Sequence, residues 1–225
     1  MNPVELTLSS VPGGLATADH VVAGRTFRLT RPREPDRLLD LPAVRDANRR
    51  DDYMPYWGYL WPAGRLLAEA VLTRPLPPGD GVIDLGCGVG LVGLAALAAG
   101  RRVTFSDYDN TSLMLAAHNA RQNGFEAFET WLLDWRDPAD RRFPFVLGGD
   151  LLYEARSHAP ILELLDSLLE PTGVAWLADP GRSVCQEFLA SIEPRFVCRR
   201  ERLAGCDHHG ETCTADLFVI RRNPT

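Results

Sequence analysis

Several features of membrane and secreted proteins are absent from this 225-residue sequence. No stretch approaches the roughly 20 apolar residues that cross a bilayer. The first residues, MNPVELTLSSVPGG, contain no basic segment followed by an apolar run, as a secretory signal would. The five cysteines are an odd number at irregular spacing, which favours a reducing compartment over a disulfide framework. We therefore expect a cytoplasmic protein without a membrane partner.

Excess positive charge is also absent, since the formal net charge at pH 7 is −6. Nucleic-acid binding draws most of its affinity from clustered Lys and Arg, so we expect no nucleic-acid partner. The composition, 45% hydrophobic and 24% charged, is ordinary for a globular protein. The length fits one sizeable domain, and we expect residues 1–225 to form it.

Strand-like and helix-like segments alternate along most of the chain. This order predicts a parallel sheet with helices on both faces. The last two apolar runs, residues 195–205 and 213–222, have no helix between them and are expected to pair as an antiparallel hairpin. The predicted fold class is therefore α/β: a Rossmann-like, doubly wound, mostly parallel seven-stranded sheet with a C-terminal antiparallel hairpin. Residues 21–30 predict one further short strand. The five runs of the parallel part are GVIDL (81–85), RVTFSD (102–107), FEAFETWLLD (125–134), FPFVLGG (143–149) and GVAWLAD (173–179).

Acidic residues stand at the end of each of these five runs: Asp84, Asp107, Asp134, Asp150 and Asp179. In doubly wound sheets, ligands bind outside the carboxyl ends of the strands. A single Asp at such a position is also a common helix cap or turn former. Five together favour a binding site at this edge of the sheet.

The segment DLGCGVG (84–90) places three glycines between an apolar strand and an apolar helix. Residues 88–93 also satisfy the dinucleotide signature G-x-G-x-x-G, with Asp107 about 20 residues further on. However, Gly86 already ends the strand, and the carboxylate of Asp84 beside the loop would repel a pyrophosphate and attract an ammonium. The loop therefore favours a cationic ligand without phosphate, and a dinucleotide oxidoreductase stays an alternative.

DLGCGVG resembles the first motif of the class I, or seven-β-strand, S-adenosylmethionine-dependent methyltransferases. The resemblance implies that S-adenosylmethionine is the cofactor and that Asp107 holds its ribose hydroxyls. It also implies that the LDW segment at 133–135 lines the adenine. The cofactor-binding residues expected from the resemblance are Trp61, Asp84, Gly86, Gly88, Gly90, Asp107, Tyr108, Asp134, Trp135 and Asp150.

Three further segments, PYWGYLWPAG (55–64), DLLY (150–153) and DPGR (179–182), are similar to the protein lysine methyltransferases of this fold. The similarity is greatest to the group that includes the electron-transfer flavoprotein β-subunit lysine methyltransferase. It implies a protein substrate that presents a lysine, with Asp150 and Tyr153 as catalytic residues. We expect residues 1–60 to form an N-terminal extension and substrate-side lid, and residues 61–225 the cofactor-binding core.

The chemistry of lysine methylation agrees with these residue types. Asp150 is expected to bind and orient the amine. Tyr153 and the aromatic residues of 55–64 either wall the amine channel, where cation–π contacts stabilise the product, or only pack as a structural lid. A small-molecule N- or O-methyltransferase and a non-catalytic cofactor-binding protein remain alternatives. The segment CDHHGETC (206–213) has zinc-binding residue types at irregular spacing without a C-x-x-C pair, so no metal site is expected.

Overall fold

A computed structural model describes residue 4, residues 6–193 and residues 195–223. Nine strands and six helices are found in these residues. The strands are β1 (Leu15–Val22), β2 (Arg25–Pro32), β3 (Gly81–Leu85), β4 (Arg102–Asp107), β5 (Phe128–Leu132), β6 (Phe143–Gly149), β7 (Leu169–Asp179), β8 (Phe196–Cys206) and β9 (Thr212–Arg222). The helices are α1 (Pro42–Asp51), α2 (Pro62–Thr73), α3 (Leu91–Ala98), α4 (Asn110–Gln122), α5 (His158–Leu168) and α6 (Cys185–Ile192).

The central sheet has seven strands in the order β5-β4-β3-β6-β7-β9-β8. Strands β3 to β7 pair in parallel, and β9 runs antiparallel to both β7 and β8. The inner parallel strands are apolar on both sides because both of their faces are covered. The predicted fold class, including the C-terminal hairpin, is confirmed.

Helices cover both faces of this sheet, as predicted. Val82 and Ile83 are successive residues of β3 and point to opposite faces, where each is fully buried. Val82 belongs to the core cluster that contains the apolar residues of α2, α3 and α4. Ile83 belongs to the cluster that contains those of α5 and α6. The carboxyl ends of β3, β4 and β6 lie between these two layers.

The N-terminal strand prediction is wrong in its boundaries. Residues 21–30 were expected to form one strand, whereas β1 and β2 form a two-stranded antiparallel hairpin with a turn in the middle of that range. Ala23 and Gly24 form the turn with φ angles of 49° and 78°. Two successive positive φ angles characterise the tight hairpin turns whose twist matches that of the strands. The alternation of the segment does not reveal this turn, because Ala rarely adopts a positive φ.

Two asparagines, Asn119 in α4 and Asn123 directly after it, hold this hairpin against the core. Thr30 donates its backbone N–H to Oδ1 of Asn119 at 2.8 Å, and its carbonyl accepts from Nδ2 at 3.0 Å. Arg28 makes the same pair of bonds with Asn123, at 2.9 and 2.7 Å. Residues four apart on a helix and two apart on a strand are both about 6 Å apart, so the two amides match the edge of β2.

The segment CDHHGETC forms the turn between β8 and β9. Among the described residues, no group of three or more His, Cys, Asp or Glu side chains is arranged to hold a metal ion. In the same part of the chain, no helix has the length and apolar character to span a bilayer. The division into an extension of residues 1–60 and a core of residues 61–225 stays a prediction.

Candidate active site

A cavity of about 320 Å³ lies at the carboxyl ends of the parallel strands. Its base is formed by the loop after β3 and by the ends of β4 and β6, and we call this part the floor (Asp84, Asp107, Asp150 and residues 86–89). Its roof is formed by residues within 54–61, and we call the longer segment 51–61 that carries them the cover. The predicted site residues that line this cavity are Trp61, Asp84, Gly86, Gly88, Asp107, Tyr108, Trp135, Asp150 and Tyr153.

Two predicted site residues do not line the cavity. Gly90 precedes α3 with a φ of 90°, and a Cβ there would lie 3.0 Å from the Cβ of Ala116, so this glycine lets α3 approach α4. Asp134 pairs with Arg136 at 2.6 Å and lines a neighbouring cavity of about 300 Å³. Trp135 lines both cavities, so the contact of Asp134 with an adenine stays a prediction.

Gly86 and Gly88 keep the floor of the cavity open. Their φ angles are 62° and 53°, in the left-handed region that side chains disfavour. A Cβ on Gly86 would lie 2.6 Å from Cδ2 of Leu151 and 3.2 Å from Cζ2 of Trp135. A Cβ on Gly88 would lie 3.4 Å from the carbonyl oxygen of Trp57 in the cover. The backbone of this loop can therefore contact a ligand closely.

Asp84 is buried beside the glycine loop. Its Oδ2 accepts the backbone N–H of Gly93 at 2.8 Å, in the first turn of α3. Burial, with the charge of Asp107 adding to it, raises the pKa of Asp84 to about 7 despite this hydrogen bond. Bringing a positive ligand into the cavity would favour the charged form of this carboxyl group.

Asp107 at the end of β4 is also buried, and burial raises its pKa to about 6. Its Oδ2 accepts the N–H of Gly88 at 3.0 Å and the hydroxyl of Ser112 at 2.8 Å. Its Oδ1 accepts the N–H of Asp109 at 3.0 Å. Protein donors thus use three of about four acceptor positions of this carboxylate. Asp107 orders the glycine loop, and two ribose hydroxyls can bind here only if one donor, such as Ser112, turns away.

Asp150 directly follows β6 and has a φ of 63°, unusual for a residue with a side chain. Its side chain is buried, and Oδ2 accepts the N–H of Ala63 in the first turn of α2 at 3.2 Å. Nη2 of Arg182 lies 2.8 Å from Oδ1. This contact is a close ion pair, and no described group makes a well-aligned hydrogen bond to Oδ1. Burial raises the pKa of Asp150, and the charge of Arg182 opposes that effect.

Arg182 reaches the cavity from the segment DPGR after β7. Oδ1 of Asp179 accepts the N–H groups of Gly181 at 2.7 Å and of Arg182 at 2.8 Å, which folds the segment around this aspartate. Nη1 of Arg182 donates to Oδ2 of Asp179 at 2.6 Å. The segment carries the family resemblance, but no role for Arg182 is predicted from it. The sequence signal that could have identified Arg182 is its position three residues after Asp179, the aspartate that ends β7.

A buried tyrosine of the cover, Tyr53, attaches it to Asp109, which follows the floor residue Asp107 by two positions. The hydroxyl of Tyr53 donates to Oδ2 of Asp109, and Nε1 of Trp57 donates to the same hydroxyl at 3.2 Å. Oδ1 of Asp109 accepts the N–H of Thr111 at 2.8 Å, so this aspartate also caps α4. The sequence analysis did not identify Tyr53, because no local pattern connects it to a residue 56 positions away.

Aromatic side chains of the cover and of the DLLY segment contact one another. The ring of Tyr56 lies edge-on to Tyr153 at 5.1 Å and to Trp61 at 5.7 Å between centroids. Trp135 lies 6.5 Å from Tyr153. Its Nε1 is buried and has no hydrogen-bond partner among the described residues. The aromatic residues therefore pack together and line the cavity at once, and the indole N–H of Trp135 is left to donate to a ligand.

The fold and this cavity define the class I methyltransferase architecture, which solved structures share. The ribosomal protein L11 methylase from Lactobacillus delbrueckii subsp. bulgaricus superposes with a TM-score of 0.54 at 20% identity, covering 72% of this chain and 79% of that chain. The T. thermophilus 16S rRNA N2 G1207 methyltransferase, solved with AdoMet and guanosine, gives a TM-score of 0.63 at 18% identity, covering 92% and 51%. Because this fold includes an RNA methyltransferase, the expectation that nucleic acid is not a partner is not supported.

Residues 58–194 match a protein family described as lysine methyltransferase. This range is more than half of the chain, and the chain belongs to that family. The predicted resemblance is thereby confirmed.

Two curated relatives are each similar to slightly more than half of the chain. The electron transfer flavoprotein beta subunit lysine methyltransferase of Mus musculus is 29% identical over 138 residues, covering 57% of this chain and 51% of the relative. The ribosomal protein L11 methyltransferase of Actinobacillus succinogenes is 29% identical over 128 residues, covering 55% and 43%. The chain spans about half the length of the curated relatives it matches.

Proposed function

We propose that this protein uses S-adenosylmethionine to methylate the side-chain amine of a lysine in a protein substrate. The observation that carries the proposal is the buried side chain of Asp150, which lines the cavity of the glycine loop and whose Oδ1 has no well-aligned hydrogen-bond donor among the described residues. A cation that enters this cavity next to Asp150 would meet an acceptor already in place. Family membership and the names of the relatives support the same chemistry.

The residues present fit the proposed cofactor. Gly86 and Gly88 leave room where a Cβ would clash with Leu151 or contact the cover. Asp107 offers a carboxylate at the level of the loop, and Trp135 offers a buried N–H that lacks a partner. When bound, S-adenosylmethionine supplies a methyl group on a positively charged sulfur. As the amine nitrogen bonds to the methyl carbon, the bond from that carbon to sulfur breaks, and the sulfur leaves as a neutral thioether.

Positioning supplies most of the catalysis in such an in-line displacement. A lysine amine attacks only when neutral, although its unperturbed pKa is about 10.4. In the proposed arrangement Asp150 accepts a hydrogen bond from the amine and directs its lone pair into the cavity. Tyr153 and Tyr56 wall the channel and contact the methylated cation through their rings.

Product analysis tests this proposal directly. All 24 basic residues of the chain are arginine, so it contains no lysine of its own. The tag-free protein is incubated with a cell lysate and methyl-labelled S-adenosylmethionine, and the protein fraction is hydrolysed to amino acids. We expect label in methylated lysine, which then cannot arise from the enzyme. Label in small molecules, in RNA or in methylated arginine would contradict the lysine proposal.

The variant Asp150→Asn tests the proposed role of this residue. We expect transfer to fall by roughly a hundredfold or more, since both positioning and a charge-assisted hydrogen bond are lost. Binding is compared for S-adenosylhomocysteine and for sinefungin, an analogue with an amine at the transfer position. The variant should lose affinity for sinefungin and retain its affinity for S-adenosylhomocysteine.

Asp52→Asn is the matched control. Asp52 has a φ of 49° and pairs with Arg156 at 2.8 Å, which resembles the backbone and ion pair of Asp150, but it does not line the cavity. This variant should leave both affinities and the rate unchanged. If Asp150→Asn weakens both ligands equally and lowers the melting temperature, Asp150 is structural, because it then only caps α2.

A further inference from the structure

The guanidinium of Arg182 connects two buried carboxylates at the edge of the cavity. Nη1 lies 2.6 Å from Oδ2 of Asp179, and Nη2 lies 2.8 Å from Oδ1 of Asp150. Asp179 is itself fixed by the N–H groups of Gly181 and Arg182. The arginine is therefore held on one side by its own turn, and it presents the other nitrogen to Asp150.

We propose that Arg182 is a positioning residue for the transfer: anchored on Asp179, it holds the Asp150 carboxylate in its charged form at the wall of the cavity. This inference rests on the proposed function, in which a substrate amine binds against Asp150. A protonated Asp150 would lose the charge that attracts an ammonium, and one of its oxygens would become a donor.

The surroundings of Asp150 explain why an arginine is needed there. Burial and the nearby charge of Asp179 both disfavour a second negative charge. From α6, the thiol of Cys185 stays neutral, since its pKa is about 12. The N–H of Ala63 on α2 is one neutral donor. Arg182 is thus the positive group in contact with Asp150 among the described residues, and Arg65 of α2 also lines the cavity. Further acidic groups around the same cavity are Asp84, Asp107 and Glu154.

The test uses the pH dependence of a ratio of two affinities. Sinefungin and S-adenosylhomocysteine are titrated calorimetrically into the full chain between about pH 5 and 9. Asp84 and Asp107 line the same cavity and titrate in every variant, so the shift of the ratio's pH midpoint between the wild type and the Arg182 variants reports the charge of Asp150. In the wild type, we expect the preference for sinefungin to persist to the acidic end of the range.

In Arg182→Gln, the pH midpoint at which the preference for sinefungin is lost should rise by about 1 to 3 units. This is the effect on the pKa of Asp150 of removing a nearby opposite charge. Arg182→Lys retains one charge without the two-pronged geometry and should shift the midpoint less. If Arg182→Gln does not fold, Arg182→Lys provides the test in its place.

Arg200→Gln is the matched control, because Nη2 of Arg200 pairs with Oδ2 of Asp216 at 2.7 Å on the neighbouring strand. Arg200 does not line the cavity, so its removal should leave the midpoint unchanged. An unchanged midpoint in both Arg182 variants, with the preference still abolished by Asp150→Asn, overturns the role of Arg182. If Asp150→Asn keeps the preference, the placement of the amine fails, and the proposed function loses its main support.

Discussion

Floor and cover are held in place by different kinds of contact. In the floor, Asp107 accepts a backbone N–H from two residues further along the chain, and Asp84 accepts one from nine residues further on. In the cover, Tyr53 donates to the side chain of Asp109, 56 positions away, and Asp52 pairs with Arg156, 104 positions away. At Asp84 and Asp107 the floor is thus built by a strand end and the segment that follows it, whereas Asp150 accepts the N–H of Ala63 in α2, 87 positions earlier. The position of the cover depends on the packing of distant segments.

The contrast has an energetic side. Floor aspartates are buried and accept hydrogen bonds from backbone amides. Several contacts of the cover are between exposed side chains, such as Asp52 with Arg156, and exposed ion pairs contribute only about 0–1 kcal/mol. The buried bond of Tyr53 is the exception within the cover. We therefore expect the floor to dominate stability and the cover to affect ligand binding through few contacts.

The largest effect is expected in the floor, for Gly86→Ala. The left-handed backbone costs about 1–2 kcal/mol with a side chain, and the contact with Leu151 adds roughly 1–3 kcal/mol of overpacking. Gly100→Ala is the matched control, since Gly100 has a φ of 81° and no atom within 4 Å of an added Cβ. Urea unfolding should show the larger loss for Gly86→Ala. Equal losses of unfolding free energy in the two variants would mean that the loop moves to accommodate the added Cβ and that close packing around Gly86 does not stabilise the floor.

A smaller effect is expected in the cover, for Tyr53→Phe. The change leaves Oδ2 of Asp109 without its tyrosine donor and Nε1 of Trp57 without its acceptor, a loss of about 1–3 kcal/mol for buried groups. Cofactor affinity should also fall, because Trp57 lies over Gly88.

Tyr59→Phe is the control for this variant, because the hydroxyl of Tyr59 donates to the exposed side chain of Asp36. Its effect on unfolding should stay within about 0.5 kcal/mol. If the two variants unfold at the same denaturant concentration, the cover is no more than loosely attached through Tyr53.

The last expected effect is that of pH on two carboxyl groups of the floor, Asp84 and Asp107. The pKa values of Asp84 and Asp107, about 7 and about 6, lie above the ordinary value of 3.8. The folded protein therefore binds protons more tightly than the unfolded chain, and its stability falls as pH rises from about 4 to about 7. A cationic cofactor favours the ionised groups, so its binding should strengthen over about pH 6–7, by up to about tenfold per pH unit for each proton released.

Melting temperatures with and without S-adenosylmethionine between about pH 5.5 and 8 measure both trends. The free protein should melt at a lower temperature as pH rises, while the increase caused by the cofactor should grow. Asp84→Asn should reduce both slopes, because one of the two titrating groups is gone. A cofactor-induced increase that is independent of pH would show that these carboxyl groups do not sense the ligand.

Most of the floor was predictable because its residues follow a local rule. A strand buried on both faces, with an aspartate near its end and a glycine or a helix start after it, occurs at Asp84 and again at Asp107. The element order also predicts the parallel sheet and the C-terminal hairpin. The turn at Ala23 was missed, because a positive φ at alanine is not encoded in the hydrophobic pattern.

Asp150 shows where local prediction ends. Its place after a strand is visible in the sequence, yet its partners are Ala63, 87 residues earlier, and Arg182. The sequence by itself determined which residues stand at the strand ends, since apolar runs and the turn residues that end them act over short distances. Only the tertiary structure decided that Arg182 meets Asp150, that Tyr53 meets Asp109, and that Asn119 and Asn123 match the edge of β2. Side-chain contacts between distant segments depend on how strands order and helices pack, and this order is a property of the whole chain.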